Sequence, residues 1–244
     1  MEALKLVLFQ ETACYKKPAA FKVGETYPLP PYATVKGLMH HLLQAEEYIP
    51  MRISIQGQFE TRMTDYQRHY FLKKANTGEI PLTLDGLEEQ VEYTSMTTMP
   101  IYMHMLFHVK LIIHIQAEHN VLVSIEEGIR QGIPMALGRW EDLVRVDYCE
   151  RVQLQSLAED HYLEQWMYVP NSVQVLSDED DLNGVPYRLS WKYHIRKGIR
   201  QWEKIKVKCV PPNQFISGNQ QGWWSDGEDC AVFPLEMEER PVCS

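Results

Sequence analysis

The densest chemistry in the chain lies between Tyr187 and Lys208. Arg188, Lys192, Arg196, Lys197, Arg200, Lys204, Lys206 and Lys208 stand there with Glu203 as the one acid, and Trp191, Tyr193 and Trp202 fall between them. Cations neutralise phosphates and flat rings stack on bases, which is what a surface for single-stranded RNA needs. The same run also fits a solvated face on a strand pair. The stretch from His194 to Arg200 reads as a hairpin tip that concentrates charge.

A second anomaly is the stretch YPLPPYATVKGLMHHLL, Tyr27 to Leu43. Its spacing predicts a helix starting at Thr34, which would cap the first turn, with Val35, Leu38, Met39, Leu42 and Leu43 as the apolar stripe. Lys36 and Gly37 are then placed on the other side. There the lysine opposes the positive end of the macrodipole, and the glycine costs about 1 kcal/mol relative to alanine. An anion docked at the helix start would reconcile both choices, because free amides, a cation and a missing side chain admit a phosphate closely. The alternative is that Gly37 makes room for a packed neighbour and Lys36 is solvated.

Acid–base chemistry without a metal is open to Tyr15, Lys16, Tyr102, His104 and His108: one group would take a 2′-hydroxyl proton and another would protonate the leaving oxygen. No spacing selects a set among them, and polar-face histidines on a strand explain the same residues. Four residues along a strand span about 13 Å, too far for His104 and His108 to share one zinc, so no metal is expected. Neither a glycine-rich phosphate loop nor a Gly-x-Ser-x-Gly motif occurs.

The bulk numbers bound the remainder. With 244 residues and 45% hydrophobic content the chain can bury a full core. Its five cysteines are scattered and include no Cys-x-x-Cys pair, so reduced thiols are expected. A net charge of −9 argues against coating nucleic acid nonspecifically but leaves room for a local basic surface. Asp178 to Asp181, Asp226 to Asp229 and Glu236 to Glu239 read as solvated loops or as faces toward a protein partner. The absence of a long apolar run and of a secretory start predicts a cytoplasmic protein with no membrane contact.

Period-two alternation predicts strands over Leu4 to Phe9, Met51 to Gln56 with a bulge at Gly57, Ile101 to Ile115 with a bend near Leu106, and Val144 to Leu154. A second helix follows Asn120 as cap and stops at Gly132 and Pro134. The order strand, helix, strand, strand, helix, strand is that of an α+β, ferredoxin-like (RRM-like) domain with helices on one sheet face. Residues 1–157 are assigned to this domain, with a projecting hairpin inserted at about 73–99, and residues 158–244 to a small β-rich C-terminal domain.

Four stretches, LVLFQETACYKKPAAF, YPLPPYATVKGLMHHLL, MALGRWEDLV and YRLSWKYHIRKGIRQWEKIKVKCV, occur in this order and together resemble the CRISPR-associated Cas-five family, most closely its type I-B branch. The resemblance implies a noncatalytic subunit of a type I surveillance complex (Cascade), acting in antiviral defence. Such a subunit binds the 5′ handle of the CRISPR RNA, caps one end of the complex, meets the backbone subunit and the large subunit, and reaches target DNA through the assembly. Carried over by motif position, the RNA-binding residues are Lys16, Lys17, Lys22, Thr34, Lys36, Gly37, Arg139, Arg196, Lys197 and Arg200, with no cofactor and no catalytic residue. Some branches of the family are metal-independent endoribonucleases that process the precursor RNA with a tyrosine and a neighbouring lysine and histidine. That activity is the alternative, weakened here by the lack of an adjacent Lys-His pair.

Overall fold

In β1 (Glu2–Ala13), Leu4, Leu6 and Leu8 alternate onto one fully buried row. The computed structural model describes residues 1–18, 23–73, 82–83, 92–93, 95–174 and 182–234. After β1 come β2 (Val23–Gly24), α1 (Tyr32–Leu42), β3 (Arg52–Gln58), β4 (Thr61–Lys73), β5 (Leu82–Thr83), β6 (Glu92–Tyr93) and β7 (Ser95–Gln116). Then follow α2 (His119–Arg130), β8 (Arg145–Gln153), β9 (Gln155–Ser156), β10 (His161–Tyr162), β11 (Trp166–Pro170) and α3 (Asn171–Gln174). The chain closes with β12 (Val185–Arg196), β13 (Ile199–Val210), β14 (Phe215–Ile216), β15 (Trp223–Ser225) and β16 (Cys230–Val232). It is mostly β.

The central strand order is β3-β7-β1-β8, all antiparallel, with α1 between β1 and β3 and α2 between β7 and β8. This is the ferredoxin-like, RRM-like arrangement. Both helices lay their apolar stripes, Val35, Leu38, Met39 and Leu42 from α1 and Leu122 and Ile125 from α2, onto the row formed by Leu4, Leu6, Ile53, Ile55, Ile113 and Ile115. The sheet does not stop at residue 157. β11 pairs with β3 through Trp166–Gly57 and Met167–Gln56, and β13 and β12 extend the same sheet beyond it. Alternation along β11 sends Tyr168 to the helix-side core, while Met167 and Val169 join Val210, Ile216, Trp223 and Val232 in a second core on the opposite face.

Several local expectations change. α1 begins at Tyr32, with Pro31 in the cap position and no side-chain cap, so Thr34 lies inside the first turn, its N–H donating to Pro31 O at 2.9 Å. Pro31 sets the extended backbone at the helix entry, and no side chain takes the capping role expected of Thr34. α2 likewise starts before Asn120, with Glu118 at its cap. Gly57 is a site of close approach: a Cβ there would lie 2.4 Å from the Lys110 carbonyl oxygen. β7 bends at His108, whose φ is +49°, and the face parity changes across the bend without any break in its register with β1. Val109, Leu111 and Ile113 therefore join the helix-side core, whereas Ile101, Met103 and Met105 pack with Cys14 elsewhere. The odd-numbered apolar residues of 101–115 thus serve two separate cores. The ribbon of β4 and β7 pairs from Thr61–Phe107 to Lys73–Ser95, so it starts well before residue 73; most of the 73–99 stretch lies outside the described residues.

The largest correction concerns Asp226 to Asp229. These acids are not all solvated: Asp226, Glu228 and Asp229 converge on Lys5 Nζ at 2.8, 3.0 and 2.7 Å, with the Lys5 and Asp226 side chains 4% and 2% exposed. His114 Nε2 also contacts Asp226 Oδ2, at 3.0 Å. Burial opposes ionisation of Asp226, but bonds from His114 and Lys5 and from the Asp229 and Glu228 amides outweigh it and hold the carboxyl far below its ordinary value. The cluster pins the β15–β16 turn onto the second sheet face. Removing one partner of such a buried pair costs about 3–5 kcal/mol, so Lys5→Met is expected to lower the urea midpoint sharply. Because the folded Asp226 value is depressed, its contribution is present above the ordinary value of 3.8 and is lost as pH falls through the folded value. Urea midpoints of the wild type and Asp226→Asn are thus expected to differ at pH 6 and to converge in strong acid.

Candidate nucleic-acid interface

Because the sheet continues into β12 and β13, this hairpin curls over the face of α1 that the helical pattern leaves polar. Lys36 is consequently buried, at 4% exposure, and not solvated. Its Nζ lies 3.1 Å from the ring centroid of Trp191, 5.6 Å from that of Tyr48, and 3.3 Å from the Tyr48 hydroxyl. No carboxylate forms an ion pair with it among the described residues. Burial, reinforced by Lys192 and opposed by Glu203, pushes the ammonium down to about 7. Gly37 is exposed beside it, and a Cβ there would meet nothing within 4 Å. The glycine therefore makes room for no packed neighbour.

Lys36, Gly37, His40, Tyr48, Trp191 and Trp202 line a pocket of about 350 Å³, with Lys192, Tyr193, Glu46 and Glu47 also in its wall. That is the low end of small-ligand sites. Aromatic walls, an ammonium donor and carboxylate acceptors suit a nucleobase: stacking supplies affinity, and the polar groups meet the base edge. Both ring nitrogens of His40 are engaged. Its Nδ1 faces the Lys36 carbonyl at 2.7 Å and its Nε2 accepts the Ile49 N–H at 2.9 Å, which assigns the proton to Nδ1 and ties the post-helix turn to α1.

The other expected site residues are dispersed. Lys16 is exposed, bridging backbone to backbone with Thr26. Lys17 pairs with Glu25 at 3.1 Å and lies 5.9 Å from the ring centroids of both Tyr27 and Tyr187. Lys22 lies outside the described residues. Arg139 is committed locally: its guanidinium bonds Asp142 and Glu141, while Asp142, fully buried, also accepts the Cys14 and Arg139 amides. Gly138 at φ +117° makes that turn possible, and a Cβ would strike Asp142 at 2.7 Å. The turn leaves Trp140 87% exposed. Arg196, Lys197 and Arg200 surround the hairpin tip, where Lys197 and Gly198 both have positive φ, as a tight two-residue turn requires. Arg200 stacks over Tyr193 at 4.7 Å.

The pooled acid–base candidates do not meet. The Tyr15 hydroxyl donates to Gln10 Oε1 at 2.6 Å inside the core, and burial raises its pKa well above the ordinary value. His108 is held by Glu60 and Glu11. Tyr102 stands on the β4–β7 ribbon edge-on to Tyr66. Two cavity-lining residues lacked a local signal. Tyr48 follows the helix in an unpatterned loop, and Arg62 lies on a strand whose outer row, with Tyr66, Arg68 and Tyr70, becomes apparent only from its pairing with β7.

The chain is thus an RRM-like sheet whose edge hairpin closes an aromatic, cation-bearing pocket over the first helix. The family model described as CRISPR-associated protein (Cas_Cas5) matches residues 3–203, and the chain belongs to that family. Among solved structures, a chain titled "CRISPR RNA-guided surveillance complex" is similar at 12% identity and TM-score 0.53, over 86% of this chain and 90% of that one. "Crystal structure of a CRISPR protein from Archaeoglobus fulgidus" is similar at 8% identity and TM-score 0.50, over 96% and 100%. At these identities the likeness is one of fold. No curated protein matches in sequence.

The Lys36 geometry predicts a stability effect of unusual sign. A lysine whose folded value is about 7, against an ordinary 10.5, is penalised in its charged form, so the fold gains stability as pH rises from 7 to 10.5. Each tenfold loss of proton affinity corresponds to about 1.4 kcal/mol, and the Trp191 contact returns up to about 2 kcal/mol. Lys36→Met is therefore expected to raise stability by on the order of 2 kcal/mol below pH 7, with the gain shrinking toward pH 10.5 in urea titrations.

Proposed function

We propose that this protein is a noncatalytic subunit of a type I CRISPR surveillance complex, most like the type I-B branch, and that it holds the 5′ handle of the CRISPR RNA. The observation that carries this reading is a buried lysine that forms no ion pair among the described residues, set against Trp191 and beside a glycine that opens onto the pocket. A handle nucleotide accounts for all three: its base stacks on Trp191 and Trp202, an oxygen of the base or phosphate takes the Lys36 proton donor, and Gly37 lets it approach. The hairpin-tip cations Arg196, Lys197 and Arg200 lie on the element that roofs the pocket and can steer the backbone toward it. The β4–β7 ribbon is the projection toward the neighbouring backbone subunit. In this reading the assembly works in the cytoplasm, the large subunit is a further partner, and target DNA is met through the complex.

One observation favours the alternative, a metal-independent endoribonuclease: Lys36 Nζ and the Tyr48 hydroxyl are 3.3 Å apart in the same pocket, and the ammonium is shifted to about 7. Such a pair could exchange a proton with a 2′-hydroxyl at neutral pH. No free histidine joins them, since both nitrogens of His40 are engaged. Purified protein incubated in EDTA with labelled repeat RNA and with its 5′-handle product separates the two readings. Handle-selective filter retention without cutting supports the scaffold; site-specific cutting abolished by Tyr48→Phe supports the nuclease.

Two variants sharpen the scaffold reading. Gly37→Ala is expected to stabilise the free protein by up to about 1 kcal/mol while weakening handle retention about tenfold, near 1.4 kcal/mol. Unchanged retention would remove the pocket from the RNA path. Binding should also weaken as pH rises above 7, where Lys36 in the free protein sheds its proton, and this pH slope should vanish in Lys36→Met.

A further inference from the structure

A second, smaller cavity of about 180 Å³ opens between Lys17, Phe59, Arg62, Trp166 and Tyr187. It is below the roughly 300–1,000 Å³ of sites that enclose a drug-sized ligand, which restricts an occupant to one ring system with its polar substituents left at the rim. Its walls are flat: Tyr187 stands edge-on to Tyr27, ring centroids 5.4 Å apart, and Phe59 and Trp166 are half-buried. Its rim is cationic. Arg62 is exposed and makes no ion pair among the described residues, and the Lys17 ammonium is 5.9 Å from the Tyr187 centroid. Glu25, itself exposed, is shared: Lys17 first, then more weakly His104 and Arg62, hold its carboxyl below the ordinary value. One acid among three basic side chains leaves the mouth suited to an anion.

This cavity is not isolated from the Lys36 pocket. Tyr187 and Trp191 are four residues apart on β12, about 13 Å along a strand. Beneath the surface a chain of ring contacts links the two residues, running from Tyr187 to Tyr168 (6.4 Å), on to Tyr32 (6.1 Å), and then to Trp191 (5.5 Å). Tyr32 and Tyr168 are fully buried, the latter donating its hydroxyl to the Leu29 carbonyl at 2.7 Å, so the spacing of Tyr187 and Trp191 is set by the core. Two ring-lined slots at a fixed spacing on one strand, with Lys17 and Arg62 at one mouth and Lys192 at the other, match the repeating base-and-phosphate chemistry of a single strand better than one apolar side chain of a protein partner.

We propose that the cavity between Lys17, Arg62, Trp166 and Tyr187 is a second ring subsite, binding one nucleobase of a single-stranded RNA while another base of the same strand occupies the Lys36 pocket. The proposal rests on the RNA reading above. It assigns Lys17 and Arg62 to the phosphate beside that base and Tyr187 and Trp166 to its faces.

The test is photochemical cross-linking of the full chain to a pool of eight-nucleotide RNAs, randomised in sequence and carrying 5-iodouridine for uridine, with adducts mapped by peptide mass spectrometry. Adducts are expected at Trp166 or Tyr187 as well as at Trp191 or Trp202. In the double variant Lys17→Gln, Arg62→Gln the first set should fall about fivefold or more, as expected when phosphate contacts are lost, while the second set persists. Both replacements are at the rim, and an unchanged thermal melt verifies the fold. Adducts confined to the Lys36 pocket overturn the second subsite and leave the RNA reading standing. Loss of both sets in the double variant overturns the assignment of Lys17 and Arg62 to a distinct site. Failure of the unaltered chain to retain any of the RNA on a filter overturns both readings together.

Discussion

The architecture depends on a two-residue seam. β3 is joined to β11 only through Gly57–Trp166 and Gln56–Met167, while its other edge is zipped along β7. Gly57 is pressed so close to β7 that any Cβ would collide with the Lys110 carbonyl. A glycine weakens a strand interior by losing side-chain packing and by its backbone entropy, so its presence here marks where backbone proximity outweighs both. Across this seam the central four-stranded sheet acquires β11, β13 and β12, and the hairpin made by the last two reaches over α1. Without it Lys36 would be an ordinary surface lysine and Trp191 would have no helix to face.

The seam also divides the labour of the two sheet faces. The helix side is apolar and supplies cohesion. The opposite side carries buried polar groups, Lys5, Ser54, Gln56 and His114, each answered by the C-terminal segment. Gln56 Nε2 donates to the Cys230 carbonyl and Ser54 Oγ accepts the Val232 N–H, at 3.0 Å each. Lys5 and His114 share Asp226. Polar groups on this face exclude an interchangeable greasy lid: only a segment that presents complementary groups in register can cover it without leaving buried donors unpaired. The face that an RRM-like sheet leaves open is therefore closed in this chain, and the candidate interface moves to the other side, between α1 and the edge hairpin.

What could be read from the chain alone follows from this division. Strand alternation, two amphipathic helices and their order are properties of contiguous residues, so the RRM-like class was legible, as was the basic, aromatic hairpin. The fate of each polar row was not, because its partner is remote: Gln56 and Cys230 are separated by 174 positions and Ser54 and Val232 by 178. Asp226 to Asp229 has the composition of a solvated loop, and nothing nearby discloses that Lys5 awaits it. Lys36 was misplaced for the same reason. A helical wheel puts it opposite the apolar stripe, and only a hairpin more than 140 positions onward buries it. The parity flip at His108 depends on one backbone angle that alternation cannot reveal.

Lys36 and Gly37 break local rules in a way that the fold does not repair. An ammonium taken out of water without a carboxylate is disfavoured, and a helical glycine whose missing side chain faces open space gains nothing in packing. Natural sequences tend to agree across levels, and residues that cost the free protein on two separate counts, side by side, point to a state in which both costs are offset. A ligand that offers an acceptor to the ammonium and bulk to the space above the glycine is such a state. This also reconciles a net charge of −9 with RNA chemistry: the basic groups are not spread as a general attractive field but are gathered on the hairpin and at the mouths of ring-lined pockets, where desolvation makes each interaction count for more. Affinity built in this manner is local and shape-dependent, which is what the proposed role of holding one RNA end requires.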